Sequence, residues 1–362
     1  MKAIITAGGR GTRMRPLTFS SNKHLIPLAN KPLLFYGIEA IANTGIKEIG
    51  INYNPGQLEG LRSVLGTGKR WGVKFTYLLQ EKPLGLAHII KIAQPFVSKE
   101  KFFMYLGDNI FYGGIKSLVD YFQKSNCNGL VTVVHHPENR RLGVPYFDRK
   151  GKLVKYIEKP KRPPHDFAIP GLYFFDHHVF ECFKGKDAIS PSKRGELEIS
   201  SVYQWLIDHD YHDYKVETKE FGGVWKDPGK FDDWLETNQF LLDREIKNGS
   251  ESKIGKDVKI EGRVKIDKKC KIKNSVIRGP TIIGNEVVIR DSFIGPYSSI
   301  DNNCFITKAK INNTILMKGV KVNSLRRPLD SCLIGQETVI EGNSELANGL
   351  ELFVGNQCVL KL

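Results

Sequence analysis

The sequence predicts two architectures in succession: an α/β unit built on a mainly parallel sheet, then a solenoid of short β-strands. Three observations carry this. Up to about residue 125, apolar strand-like runs alternate with segments of helical spacing, the pattern of a parallel sheet covered on both faces. A loop rich in glycine and arginine, Gly8-Gly9-Arg10-Gly11-Thr12-Arg13-Met14-Arg15-Pro16, directly follows the first apolar run. In such a sheet this places it at the carboxyl edge, where ligands bind. Beyond Lys247, aliphatic residues recur every six positions, and short-period internal repetition is the signature of a solenoid.

The runs Ala3–Ala7, Ile49–Asn52, Phe75–Leu79 and Phe102–Leu106 are expected as strands. Between them Leu33–Asn43, Leu58–Leu65, Leu86–Ala93 and Ile115–Gln123 carry apolar residues at helical spacing, and Gly45 stops the first of these helices. From Leu130 to about Phe175 strand signals dominate, with Lys150-Gly151 as a hairpin turn between Tyr146–Asp148 and Leu153–Ile157. Leu197–Ile207 and Phe231–Ile246 are helical again. The repeat then runs through Ile254, Ile260, Ile266 and Ile272, slips to Ile283 and Ile289, and continues through Ile294, Ile300 and Ile306, with Val258, Val264 and Cys270 in step. The expected boundaries are a first domain over 1–246, a linker over 247–252 and a repeat domain over 253–362. The repeat resembles the hexapeptide repeats of left-handed parallel β-helices, in which three repeats complete one coil.

At 362 residues, with 41% hydrophobic and 26% charged residues, the chain has the size and composition of a two-domain globular protein. No apolar run approaches the ~18 residues that a membrane span needs. The run Ala3–Ala7 is too short for a signal peptide. The six cysteines are scattered without a Cys-x-x-Cys pair, which fits reduced thiols in the cytoplasm and gives no zinc site. The net charge of +15 favours anionic ligands such as nucleotides and sugar phosphates. Nucleic acid is not an expected partner, because no nucleic-acid module is present and the basic residues are not interleaved with stacking aromatics.

In the loop, glycines allow close backbone approach to an anion and guanidinium groups hold phosphate oxygens. It is not a Walker A loop, because Thr12-Arg13 follows Gly11, and it is not a dinucleotide fingerprint, because Met14 stands where a third glycine belongs. Lys23, the segment Gln80–Ala87, the triplet Gly107-Asp108-Asn109 and the segment Trp225–Gly229 are further polar clusters at expected element ends. Asp108, after an apolar strand, fits either a cap of the following helix or a Mg²⁺ ligand with Asp227 as second carboxylate. Mg²⁺ takes only one or two carboxylates and fills its shell with phosphates and water. A glycine-arginine loop, a lysine and two carboxylates are what phosphoryl or nucleotidyl transfer requires. No Ser-His or Cys-His pairing supports covalent catalysis.

The first two thirds of the chain resemble the sugar-1-phosphate nucleotidylyltransferases, and within them the glucose-1-phosphate thymidylyltransferases. The Gly8–Pro16 loop, Lys23, Gln80–Ala87, Gly107-Asp108-Asn109, Glu158-Lys159-Pro160, Gly171-Leu172-Tyr173, Arg194–Ile199 and Trp225–Gly229 match in order. The repeat domain makes the resemblance one to the long form of the family. It implies a Rossmann-like, mixed but mainly parallel sheet followed by a left-handed β-helix, and transfer of a nucleotidyl group from dTTP to glucose 1-phosphate with release of pyrophosphate. Gly8, Gly9, Gly11, Thr12 and Arg13 are implied to wrap the triphosphate, with Lys23 at the reacting phosphate. Gln80 and Gly85 are implied to face the pyrimidine, Gln80 supplying one donor and one acceptor. Asp108 and Asp227 are implied to hold Mg²⁺. Asn109, Gly143, Glu158 and Gly171 are implied to line the hexose, and Lys159 and Arg194 to hold its phosphate. His24, Leu142 and Pro228 depart from the family's usual residues; the first two bear on hexose preference. UTP or another sugar 1-phosphate is the alternative substrate, and a non-catalytic regulatory homologue the alternative role. Acyl transfer on the β-helix is disfavoured, because all nine histidines lie at or before His212 and such enzymes use a histidine base. A homo-oligomer assembled through the β-helix is expected.

Overall fold

The computed structural model describes residues 1–9, 11–209, 214–342 and 352–361. The chain divides into two compact units, Met1–Gly9 with Leu34–Lys226 and Arg10–Leu33 with Asp227–Leu362.

The first unit is built on a mixed sheet. Its strands run in the order Phe167–Ala168, Gly129–His135, Leu172–Phe175, Phe102–Leu106, Lys2–Thr6, Glu48–Tyr53 and Lys74–Leu79, with Val216–Glu220 also pairing to Gly129–His135. The four strands from Phe102 to Lys74 are parallel, and Leu172–Phe175 enters antiparallel on both sides. The expected strands and the helices Leu33–Ala42, Leu58–Leu65, Leu86–Ile92, Lys116–Lys124 and Ile199–Asp208 are present. Ile4, Ile5, Phe102, Phe103, Met104 and Tyr105 are fully buried, as central parallel strands demand. The hairpin also forms, Gly143–Phe147 against Leu153–Glu158.

The second unit is a left-handed parallel β-helix preceded by the helix Phe231–Glu245. Three parallel sheets stack, with successive coils 17 residues apart in the regular part, as at Asn285 and Asn302. Six-residue repeats alone would give a longer coil. The difference is a five-residue step taken once per coil, which puts Ile277, Ile294 and Ile311 in the core beside Ile266, Ile272, Ile283, Ile289, Ile300 and Ile306. Thus Ile277 and Ile311 belong to the stack although a strict six-residue count misses them. Ile260 was expected in the core but is 41% exposed. It pairs in register with Ile277 in the outermost strand of its sheet. The strands continue past residue 306, as far as Val359–Lys361. The segment 247–252, expected as a linker, contains Gly249–Ser250, which already pairs with Lys265–Ile266. Corner residues tie the coils together: Asn302 Oδ1 accepts from the Asn285 backbone N–H at 2.7 Å, and Ser275 Oγ from the Ser292 backbone N–H at 3.1 Å.

Residues 11–33 pack into this second unit. Asn238, fully buried on the Phe231–Glu245 helix, accepts from the Ala29 backbone N–H and the Ser299 hydroxyl, both at 2.8 Å, and donates to the Tyr297 carbonyl at 3.2 Å. Asn30 donates to the Ile300 carbonyl at 2.7 Å, and Asn356 to the Ser20 and Ser21 hydroxyls. The loop segment with Arg13 and Lys23 is therefore moored on the β-helix. Asn238→Leu leaves the buried Ala29 N–H and Ser299 hydroxyl, and the Tyr297 carbonyl, without this partner, and an unsatisfied buried group costs on the order of 1–3 kcal/mol. We expect it to lower thermal stability by several degrees. A melting curve superimposable on the parent's would contradict the role given to this amide.

No helix among the described residues is long and apolar enough to cross a membrane. None of the six cysteines is in a disulfide.

Candidate active site

In the first unit, the strand Lys2–Thr6 delivers Gly8 and the neighbouring parallel strand Phe102–Leu106 delivers Asp108. Thr6 pairs with Leu106, and the Gly107 N–H donates to Thr6 Oγ1 at 3.1 Å. Gly8 is held by Asn54, whose amide donates to its carbonyl oxygen, and a Cβ there would lie 2.8 Å from Asn54 Oδ1. Asn54 escapes a motif reading; its signal is its place just beyond the second strand, Glu48–Tyr53.

Asn109 gathers several of the expected residues. It is 2% exposed, its Oδ1 accepts from the Gly171 N–H at 3.2 Å and Trp225 Nε1 at 2.8 Å, and its Nδ2 donates to Asp108 Oδ1 at 3.1 Å. Asp108, Asn109, Gly171 and Trp225 thus form one cluster. A Cβ at Gly171 would lie 2.5 Å from Asn109 Oδ1, so glycine is needed for this approach. Trp225 was noted only as part of a segment; its indole fixes the amide that steadies Asp108.

The hairpin brings Gly143 opposite Glu158. Tyr156 donates its hydroxyl to Glu158 Oε1 at 3.0 Å, and a side chain at Gly143 would overlap the Tyr156 ring. Burial, the largest cause, pushes the Glu158 carboxyl above its ordinary value of 4.5; Glu198 adds to this, while Lys159 and Arg194 oppose it. Arg194 is itself engaged by Glu198, Nη2 to Oε1 at 2.8 Å. A phosphate at Arg194 would therefore meet a guanidinium already held by a carboxylate. The raised Glu158 value has a stability consequence. The neutral carboxyl is preferred in the folded state, so its contribution is present below about pH 4.5 and is lost as pH rises through the folded value. Glu158→Gln is expected to raise the melting temperature at pH 7.5 and leave it unchanged near pH 4. A melting temperature lowered at pH 7.5 would oppose this reading.

Gln80 and Gly85 also come together. Gln80 is 5% exposed and its Nε2 donates to the Gly85 carbonyl at 3.1 Å and lies 3.2 Å from His88 Nδ1. With His88 Nδ1 unprotonated, both amide hydrogens are directed at the protein. That arrangement leaves Oε1 as the group Gln80 offers, where the expectation was one donor as well as one acceptor. Gly85 has φ +96°, and a Cβ there would lie 2.5 Å from the Leu197 carbonyl oxygen.

In the second unit, Gly11 has φ +58°, and Thr18 Oγ1 donates to its carbonyl at 2.7 Å. A Cβ at Gly11 would lie 3.0 Å from Lys23 Cβ, so the loop closes on the buried Lys23. Thr12–Met14 form a 3-10 turn anchored by the buried Met14, with Thr12 and Arg13 exposed. Arg13 Nη1 lies 3.1 Å from where a Gly229 Cβ would stand, which sets its guanidinium beside the Asp227-Pro228-Gly229 segment. Arg15 stacks on Phe19, with 4.9 Å to the ring centroid, and Arg10 lies outside the described residues. His24 is buried, with Nδ1 2.9 Å from Asn22 Oδ1. Asp227 is exposed and Asp108 half-buried.

Asp108 in the first unit and Asp227 in the second each offer a hard carboxylate oxygen, the ligand type that Mg²⁺ takes while leaving most positions to phosphate and water. Among the described residues, the three-membered cluster of metal-capable side chains is Asp176, His177 and His178. There the Asp176 carboxylate caps the His178 N–H at 3.0 Å and accepts from Asn128 at 2.9 Å, a turn network.

The nucleotidyl transferase family model matches residues 2–244, and the model of the GMPPB C-terminal domain matches residues 237–324. The chain is 35% identical to the glucose-1-phosphate thymidylyltransferase of Streptomyces griseus over 98% of this chain and 98% of that protein. It is 36% identical to that of Streptomyces antibioticus over 100% and 99%. A Bacillus anthracis crystal structure, assigned as a glucose-1-phosphate thymidylyltransferase and solved in complex with sucrose, matches with TM-score 0.62 and 32% identity over 69% of this chain and 98% of that one.

Proposed function

We propose that this chain, which belongs to the nucleotidyl transferase family, transfers a thymidylyl group from dTTP to glucose 1-phosphate, giving dTDP-glucose and pyrophosphate. The observation that carries the reading is the start of the glycine loop and Asp108 on adjacent parallel strands, tied through Gly107 and Thr6. That is the carboxyl edge where a triphosphate binds in an open α/β sheet.

An oxygen of the sugar phosphate attacks the α-phosphorus in line. A P–O bond forms, the α–β bridging P–O bond breaks, and pyrophosphate leaves with that electron pair. Gly8, Gly9, Gly11 and Thr12 bind the triphosphate, Arg13 the departing pyrophosphate, and Lys23 the oxygens around the reacting phosphorus. Asp108 and Asp227 are the carboxylates for Mg²⁺, which when bound neutralises charge on phosphate oxygens. Gln80 and Gly85 meet the base. Asn109, Gly143, Glu158 and Gly171 line the sugar, with Lys159 and Arg194 on its phosphate. We assign the reaction to the cytoplasm, and the β-helix to homo-oligomer assembly, which sedimentation at micromolar concentration tests; a monomer there refutes it.

Thymine and uracil differ by one methyl, a difference of about 1 kcal/mol in a pocket, so UTP is the second nucleotide to test. The deciding experiment is a matrix of nucleoside triphosphates against sugar 1-phosphates, read by pyrophosphate release. dTTP with glucose 1-phosphate should give the highest kcat/KM. A different leading pair replaces the substrate assignment, and no release with any pair removes the catalytic reading.

A further inference from the structure

Gln80 carries an amide whose two ends are chemically opposite, and its orientation decides which bases it accepts. The Gly85 carbonyl, 3.1 Å from Nε2, repels an oxygen and so requires the NH₂ group on its side. The second amide hydrogen points to His88 Nδ1 at 3.2 Å. With both hydrogens committed, Gln80 has only its Oε1 to offer, and among the described residues no donor reaches that oxygen.

We propose that His88 is a specificity-positioning residue that locks the Gln80 amide with Oε1 toward the base, so that the site takes a base whose ring nitrogen donates and refuses one whose ring nitrogen accepts. The inference rests on the assignment of Gln80 to the base. Thymine and uracil have a donating N3–H; cytosine presents a bare N3, which would face Oε1 acceptor to acceptor. To hold the NH₂, His88 Nδ1 must lack a proton, and burial together with the neighbouring Lys91 favours the neutral ring. His88 follows Gln80 by one strand-to-helix turn, on the first turn of Leu86–Ile92. The lock is therefore built into the segment that carries Gly85.

The test compares kcat/KM for dTTP and dCTP, with glucose 1-phosphate, in three variants. His88→Leu keeps bulk and removes the acceptor. We expect the dTTP:dCTP ratio to fall about tenfold, through a higher KM for dTTP together with activity gained on dCTP. A gain on dCTP is a result that general damage does not produce. His88→Asn, whose Oδ1 restores an acceptor, should return the ratio to within about threefold of the parent. If His88→Leu does not fold, His88→Ala makes the same comparison. Gln80→Leu separates the two layers. An unchanged ratio in His88→Leu with a collapsed ratio in Gln80→Leu overturns the lock and leaves the base assignment standing. An unchanged ratio in Gln80→Leu overturns the base assignment itself.

Discussion

Asp108→Asn lowers kcat about a thousandfold and leaves the melting temperature within a few degrees of the parent. The two halves of this expectation have different sources. The side chain keeps its shape, and an asparagine Oδ1 at 108 still accepts from Asn109 Nδ2, the bond now 3.1 Å long. Asn109 in turn keeps Gly171 and Trp225, so the cluster around the strand end survives. What disappears is one negative charge at a site assigned to a cation, where stabilisation of developing phosphate charge supplies several kcal/mol. Three decades in rate correspond to about 4 kcal/mol. Steady-state pyrophosphate release across a Mg²⁺ titration, paired with a thermal melt, checks both halves. The half-saturating Mg²⁺ concentration should rise as well. Parent-level turnover in Asp108→Asn removes the metal role from this carboxylate.

Much of this arrangement was legible in the residues. The alternation of apolar runs located the parallel strands, because fully buried strands are apolar throughout and end where a polar or glycine residue meets the sheet edge. That made Gly8 and Asp108 readable as edge positions. The repeat was readable because one residue of each short strand must point inward, but its true spacing was not. One five-residue step per coil carries Ile277 and Ile311 out of a six-residue count, and only the stacked register shows that they share the core. Contacts between residues far apart in sequence were the least accessible. Nothing in the stretch around Ala29 announces that its N–H is bonded to Asn238, or that Trp225 supports Asn109. Gln80 was found by its motif, yet the direction of its amide depends on a histidine eight residues on. The resemblance implied Arg194 as a phosphate ligand, while its pairing with Glu198 emerges only from the conformation of the turn before the helix Ile199–Asp208.

Gly107→Ala is the substitution with the largest expected effect on stability. Gly107 follows the strand Phe102–Leu106 and lies against the end of Lys2–Thr6, two adjacent and largely buried strands of the sheet. A Cβ at 107 would overlap the Thr6 carbonyl oxygen and stand 2.7 Å from Leu34 Cδ1. A leucine side chain can rotate away, but the Thr6 carbonyl belongs to the backbone of a central strand and cannot move without disturbing its pairing on both sides. The Gly107 N–H bond to Thr6 Oγ1 would be lost in any retreat. A backbone clash of this kind belongs to the severe class of overpacking, on the order of 3 kcal/mol or more. In a chain of this size that corresponds to a fall in melting temperature of roughly 6–12 °C. Gly60→Ala provides the contrast. Gly60 lies inside the helix Leu58–Leu65 with nothing within 4 Å of a Cβ, and alanine there is favoured over glycine by up to about 1 kcal/mol. Equal melting temperatures for the two variants would show that the strand end yields where its geometry says it cannot. A lowered melting temperature in Gly107→Ala, accompanied by a loss of turnover at temperatures where the variant is still folded, would place the damage at the turn that presents Asp108.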